Sequence, residues 1–275
     1  MTVIAEEIAA AREQASQAAE RAGVRITPLH DADEVRRIPE VVEAVWGTAV
    51  VPTPDILRAL ARAGSVLLAA EPSDRPGRTI GCAFGFLGWE GGVHLHSHQV
   101  GVRPGQQHAG VGYALKLAQR ITCLEHGITE MRWTFDPMLA RNAGFNFGKL
   151  GVTGVAFLPS FYGEMEDGIN SGDLSDRFEV SWRLDTAIAP RVDGSAGDEL
   201  LAVDEAGLPR RTDAAPAPGV RIPIPANYAK LREAGDPSAD TWRRAAREVF
   251  AECFASGLIA TAFGPHGYLF AKPQA

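Results

Sequence analysis

The sequence predicts a mixed α+β fold, with a central, mostly antiparallel sheet flanked by helices and a helix-plus-hairpin extension at its C-terminal end. Three observations carry that reading. Residues 65–102 form three apolar stretches separated by turn-forming residues, the pattern of an antiparallel meander. Residues 103–158 then alternate helical and strand periodicity, which makes the sheet mixed and sets helices on its faces. A polar loop joins the last strand of the meander to the first of those helices, and it holds a glycine pair, Gly110 and Gly112.

Residues 3–22 are alanine-rich and charged and stop at Gly23, which predicts a surface helix closed by a glycine. Val24–Leu29 is a short strand, and Asp31 starts a helix that runs to about Trp46. Pro54-Asp55 opens a second short helix, ended by Ala63-Gly64. Ser65–Ala70, Thr79–Trp89 and Val93–Val102 are the meander strands. Residues 72–78 carry two prolines, an aspartate and a glycine, and Glu90-Gly91-Gly92 is a tight turn. Apolar residues at 111, 114, 115, 117, 118, 121 and 124 give helical spacing from Gly110 to about Glu125. Glu130–Phe135 reads as a strand, Leu139–Leu150 as a short helix ended by Gly151, and Val152–Leu158 and Arg177–Leu184 as strands. Residues 159–176 are loop-like. Residues 187–219, rich in Ala, Pro, Gly and Asp, read as an irregular connection with a hairpin around Glu205-Ala206-Gly207. Asp236-Pro237 starts the last helix and Gly257 stops it. Leu258–Phe263 and Tyr268–Lys272 form a closing hairpin.

The chain has 275 residues, 45% hydrophobic and 22% charged, which is ordinary for a globular protein and wrong for a disordered one. Its net charge of −7 disfavours a nucleic-acid partner, because neutralising phosphates needs a basic face. No apolar run approaches the ~20 residues of a membrane span, so no membrane partner is expected. Residues 1–13 do not have the pattern of a secretory signal. Cys82, Cys123 and Cys253 are odd in number and far apart, which fits a reducing, cytoplasmic setting better than a disulfide framework. Lysines stand only at 116, 149, 230 and 272 among 27 basic residues; with so much alanine, this suggests a GC-rich bacterial genome.

The most informative stretch is Val100 to Leu115. A strand ends, a polar loop follows, and a helix starts at Gly110/Gly112. Such a turn aims unpaired backbone N–H groups and the positive helix end at one point, which suits a pyrophosphate. Gly110 and Gly112 place no side chain in the way. A P-loop is excluded, since no Gly-Lys-Ser/Thr follows, and GxGxxG is absent, since Tyr113-Ala114-Leu115 follows Gly112. On the strand before the loop, His94, His96 and His98 alternate, so all three are expected on one face. That spacing serves either a metal site or a general base, and no further ligand is evident, so no metal is expected.

Gln107-His108-Ala109-Gly110-Val111-Gly112 matches the Q/R-x-x-G-x-G/A signature of the GNAT superfamily of N-acetyltransferases, and the element order from residue 24 to 184 resembles the GNAT fold. Leu95-His-Ser-His98, Thr134-Phe-Asp-Pro137, Arg141-Asn-Ala143 and Asp176-Arg-Phe178 further resemble a bacterial subgroup of GNAT acetyltransferases with a C-terminal extension. The resemblance implies acetyl-CoA, or another acyl-CoA, as co-substrate. Gln107, His108, Ala109, Gly110, Val111, Gly112 and Tyr113 would hold its pyrophosphate. Val100, Gly101 and Val102 would hold the pantetheine arm and polarise the thioester, with Asn142 nearby. It implies residues 24–185 as the catalytic domain, 1–23 as an N-terminal helix and 186–275 as an extension packed on the same domain. The implied reaction is direct transfer of an acyl group to a small-molecule amine.

Counted back from Gln107, His96 falls where members of this superfamily place a general base, and His98 is the fallback. An ordinary imidazole titrates near 6.5 and takes a proton at neutral pH. The place of the usual proton-donating tyrosine holds Gly148, which leaves Tyr162 and Tyr113 as candidate acids, Tyr162 in a loop that could close the pocket. His94 and Arg177 are candidate substrate-binding residues, Arg177 for a carboxylate. The missing tyrosine keeps an acyl-CoA decarboxylase or thioesterase as an alternative, beside a non-catalytic acyl-CoA-binding module. A homodimer is left open.

Overall fold

The computed structural model describes residues 2–107, 109–163, 174–195 and 197–273. Among these, the chain forms two compact units. One takes residues up to 133 together with 183–186. The other takes 134–163, 174–182 and 187–273.

The first unit opens with α1 (Thr2–Arg21) and β1 (Val24–Pro28), joined through Gly23 at φ 64°, a left-handed turn that glycine adopts without strain. The helix expected from Asp31 starts later. Asp31 Oδ1 accepts from the Asp33 and Glu34 N–H groups, a 3₁₀ turn covers Glu34–Arg36, and α2 is Arg37–Trp46. Next come α3 (Pro54–Arg62), β2 (Val66–Pro72), β3 (Gly81–Gly88), β4 (His94–Val102), α4 (Val111–Glu125) and β5 (Glu130–Phe135), of which residues 130–133 belong here. The strands lie in the order β1-β2-β3-β4-β5. The first three pairings are antiparallel, as the meander predicts, and β4 with β5 is parallel.

Side chains of α2 and α3 fill one face of this sheet. Leu29, Val35, Ile38, Val41, Val42, Leu57, Leu67, Cys82 and Phe84 form one buried cluster. Helix α4 covers the other face: Val111 and Leu115 lie within 3.3 Å of where a side chain at Gly81 would begin. Helix α1 packs along α4, where Arg12 meets Glu125 and Gln14 accepts from Arg120.

The second unit holds α5 (Ala140–Phe145), which runs into a wider π-turn over Asn146–Leu150 that Gly151 ends at φ 70°. It continues with β6 (Thr153–Leu158), β7 (Arg177–Arg183), the small hairpin β8 (Leu201–Val203) with β9 (Pro209–Arg211), and β10 (Arg221–Ile222). Then come α6 (Tyr228–Glu233), α7 (Pro237–Ala255), β11 (Ile259–Gly264) and β12 (Gly267–Ala271). The order β7-β6-β11-β12-β10 builds its main sheet. The hairpin at residues 205–207, the capped last helix and the closing hairpin stand where the sequence predicts. β10 and α6 do not announce themselves, because each is short and flanked by Pro223, Pro225 and Gly219.

Phe178 is the hub of this unit's core. Phe135, Phe157, Phe250, Phe254, Tyr268 and Phe270 all have ring centroids within 6.3 Å of it. Four of these rings come from α7 and β12, so the C-terminal segment completes the core around Phe178. One buried ion pair locks α7 down. Arg243 donates to both oxygens of Asp136 at 2.8 and 2.6 Å, and to Tyr228 Oη at 3.0 Å.

Candidate functional site

The first unit gathers the loop and the histidines predicted from sequence at adjoining parts of one strand-to-helix junction. Strand β4 ends at Val102. Arg103 anchors the loop by donating from Nε to Thr79 O at 2.9 Å, and the chain turns into α4 through Gly110. Gly110 has φ 87°, a conformation that a side-chain-bearing residue rarely takes. Gly110, at the start of α4, has no side chain with which to cap it, and the Val111, Gly112 and Tyr113 N–H groups of the first turn have no acceptor within the helix. The helix dipole adds positive character at the same point.

Among the described residues, a side chain at Gly112 would meet only Val102 Cγ2, at 3.9 Å. Packing against those residues therefore does not require glycine there. Glycine there keeps a side chain from standing over the first-turn N–H groups, which fits a pyrophosphate cradle. Arg21, at the end of α1, stands close enough to Tyr113 to favour its phenolate, although burial raises the Tyr113 pKa on balance. Arg21 adds a cation beside the cradle that the sequence gave no sign of. Gln107 is half-buried and Ala109 is exposed, while His108 lies outside the described residues. Gly101 has a packing reason of its own: a side chain there would stand 2.9 Å from the Trp46 ring of α2.

The histidine strand departs from simple alternation. Phe84 pairs with Gln99 and Phe86 with His96, so Ser97 and His98 together face Gly85. This β-bulge bends β4. Gly85 makes it possible, because a side chain there would stand 2.6 Å from the His96 carbonyl oxygen and 3.1 Å from Ser97 Cα.

On the α2/α3 face, the bulge brings two imidazoles and two phenyl rings together. His96 and His98 have centroids 5.9 Å apart, and Phe86 lies 5.3 Å from His96 and 5.9 Å from His98. Phe84 closes the group at 5.3 Å from His98. On the opposite face Ser97 is buried beneath α4. The ladder between β4 and β5 runs through Leu95–Met131 and His96–Arg132, among the described residues, and both strands continue beyond it. Arg132 also fixes the hairpin tip, donating to the Glu90 and Gly91 carbonyls.

This setting corrects the expectation of an imidazole that titrates near neutrality. Burial, reinforced by the neighbouring His98, His94 and Lys116, pushes the His96 pKa down to about 4. His98 is exposed along one edge, yet its ring is seated on Phe84 and Phe86, and that desolvation lowers its pKa too. Both rings therefore favour the neutral form, an acceptor for a proton that is already acidic but a poor match for a free ammonium.

His94 does not join them. It is buried, its Nδ1 lies 2.8 Å from Gly92 O, and its ring occupies the space a side chain at Gly88 would need. It locks the hairpin turn, which differs from the substrate-contacting place expected for it. Among the described residues, no group of three or more His, Cys, Asp or Glu side chains is disposed to hold a metal ion.

The remaining candidates belong to the second unit. Tyr162 is 43% exposed, its hydroxyl lies 3.2 Å from Thr134 Oγ1, and its ring carries the Arg177 guanidinium at 5.5 Å. Arg177 is buried and donates to the Asp176 carbonyl at 2.9 Å, an anchor for its turn rather than an open fork for a carboxylate. Asn142 is half-buried on α5. All three cysteines are buried, with thiols pushed up to about 12 by desolvation, so none is an activated nucleophile. A cavity of about 670 Å³ in this unit is lined by Val203, Leu208, Ile224, Pro225, Leu231 and Trp242, among others, and by none of the predicted site residues.

Sequence reasoning missed Gly85, Phe84, Phe86, Ser97 and Lys116. Two of them left a trace: Gly85 interrupts an apolar strand, and Lys116 interrupts the apolar face of a helix.

No protein-family model and no curated protein matches the chain. Many solved acetyltransferase structures are similar to it. The ribosomal-protein-S18-alanine N-acetyltransferase from Escherichia coli aligns at TM-score 0.48 and 12% identity, over 60% of this chain and 96% of that one. YncA, a putative acetyltransferase from Salmonella typhimurium solved with its cofactor acetyl-CoA, aligns at 0.47 and 21%, over 63% and 99%. A GNAT family acetyltransferase from Elizabethkingia anophelis with acetyl-CoA bound aligns at 0.43 and 15%, over 58% and 98%. At TM-scores below 0.5, a likeness assigns no role to any residue of this chain.

Proposed function

We propose that this chain is a GNAT-type enzyme that transfers an acyl group, most simply acetyl, from CoA to a small-molecule amine. One observation carries the reading: a helix that starts at a left-handed glycine behind a polar loop follows directly on the strand whose bulge presents His96 and His98. The anion cradle and the proton acceptors thus share one short stretch of chain, residues 96–113, in one compact unit.

In the proposed reaction the amine nitrogen attacks the thioester carbonyl carbon. The C–N bond forms and the C–S bond breaks. One amine proton passes to a base, and the departing CoA thiolate takes up a proton. The first-turn N–H groups of α4, with Arg21, hold the pyrophosphate. The backbone of Val100–Val102, beyond the residues that pair with β5, guides the pantetheine arm, with Asn142 as a further candidate contact. His96 is the proposed base, with His98 beside it. Because its pKa is about 4, it does not strip an ammonium. It takes the proton that becomes acidic as the C–N bond forms, so the acceptor enters as the free amine. Tyr162 is kept as the candidate proton donor to the thiolate. Residues 24–185 are then the catalytic region, and 186–275 the extension that closes the core around Phe178. A reducing, cytoplasmic setting suits three buried free thiols.

The test is free-thiol release from acetyl-CoA and from malonyl-CoA, with and without a pool of amines. Amine-dependent release supports the proposal. Release without amine means hydrolysis, carbon dioxide from malonyl-CoA without thiol means decarboxylation, and binding without turnover means a non-catalytic module; each of these overturns it.

A further inference from the structure

Lys149, Lys230 and Lys272 are exposed, whereas Lys116 is 3% exposed in the middle of α4. A buried ammonium normally sits against a carboxylate. The contacts of Lys116 are of another kind. Its Nζ donates to Ser97 Oγ at 2.9 Å and lies 3.5 Å from the centroid of the Trp133 ring. Ser97 Oγ in turn donates to Gln119 Oε1 at 2.8 Å. Burial pushes the Lys116 pKa well below the ordinary lysine range, toward the uncharged amine.

The two partners mark one place. Ser97 is the inward-facing residue of the β4 bulge, with His96 before it and His98 after it. Trp133 follows Arg132, the last β5 residue in the ladder with β4. Lys116 therefore reaches from α4 to both strands at the point where they part. A methionine or leucine would fill the same volume without desolvating an amine, so packing alone does not account for a lysine here.

We propose that Lys116 is a positioning residue: by holding Ser97 from behind and bracing on Trp133, it fixes the bulge that sets His96 and His98 side by side. The kinetic consequence rests on the acyl-transfer reading. The geometric one does not.

The test uses Lys116→Met, which keeps the length and apolar volume, and Ser97→Ala, which removes the partner and carries the experiment if Lys116→Met fails to fold. Histidine side-chain resonances are followed by NMR through a pH titration in the full chain, with exposed His126 at the far end of α4 as the internal reference. The expected result is that the resonances and titration midpoints of His96 and His98 move in both variants while His126 stays. Amine-dependent kcat should fall about 10-fold, with KM for acyl-CoA nearly unchanged, since a small misplacement of a base acts on the chemical step. Unmoved His96 and His98 resonances in a folded variant overturn the proposal, whatever happens to kcat. If the unmodified protein shows no amine-dependent thiol release, the acyl-transfer reading fails, and the histidine shifts still decide the role of Lys116.

Discussion

Gly85→Ala tests the bulge on which the proposed chemistry depends. The glycine is not there for backbone freedom, since its φ is not positive. The need is steric: a methyl group would stand 2.6 Å from the His96 carbonyl oxygen, against an ordinary contact of 3.4 Å or more, so β4 must retreat by about 0.8 Å. Overpacking of this kind costs about 1–3 kcal/mol. The reduced entropy of the unfolded chain returns about 0.5–1 kcal/mol. The net loss should be about 1–2 kcal/mol in denaturant unfolding. Because the methyl group pushes on His96 itself, kcat for amine-dependent thiol release should fall about 10- to 100-fold while CoA affinity changes little. Gly144→Ala is the control. That glycine lies inside α5 with nothing within 4 Å of the new methyl, so stability should stay level or rise by up to about 1 kcal/mol. A Gly85→Ala protein as stable as the parent, or one with full kcat, refutes the steric argument.

Gly112→Asp should weaken CoA binding at least 10-fold, about 1.4 kcal/mol, because it sets a carboxylate beside the first-turn N–H groups of α4; calorimetry on the folded variant checks this. His96→Gln should lower kcat by about 10²–10⁴. It should also change how stability depends on pH. The folded His96 has its pKa lowered to about 4 from 6.5, so the unfolded chain binds the extra proton between those values. The contribution of His96 is complete above pH 6.5 and is lost as pH falls toward 4. The variant should therefore lose less stability than the parent between pH 7 and 5, and equal losses would contradict the assignment. Arg243→Met should cost about 3–5 kcal/mol by leaving Asp136 buried without its partner. Replacing Asp136 by Leu in the same protein should recover most of that loss in denaturant unfolding.

Much of the fold was legible in the sequence, because the signals that set it are local. Turn residues at 72–78 and 90–92 delimit the meander, helical spacing marks residues 111–125, and Asp236-Pro237 opens α7 with a side-chain cap that accepts from Ser238 N at 2.8 Å. The loop from Gln107 to Gly112 was readable as a strand-to-helix junction for the same reason: a helix start leaves its first N–H groups without an acceptor inside the helix, and glycine adds no side chain over them. The histidines were legible as residue types but not as chemistry. Their spacing predicted three rings on one face. Only the pairing of β3 with β4 places the bulge, turns His94 into a turn lock and leaves His96 and His98 together. The expected titration near neutrality failed because a pKa is set by desolvation and by neighbouring charges. Besides His94 and His98 on the same strand, the groups that surround the ring, Phe84 and Phe86 across the strand and Lys116 behind it, are ten or more residues away in the chain. Lys116 shows the same limit: the sequence displays it as one charge in an apolar helix face, and only the meeting of α4, β4 and β5 shows what that amine holds.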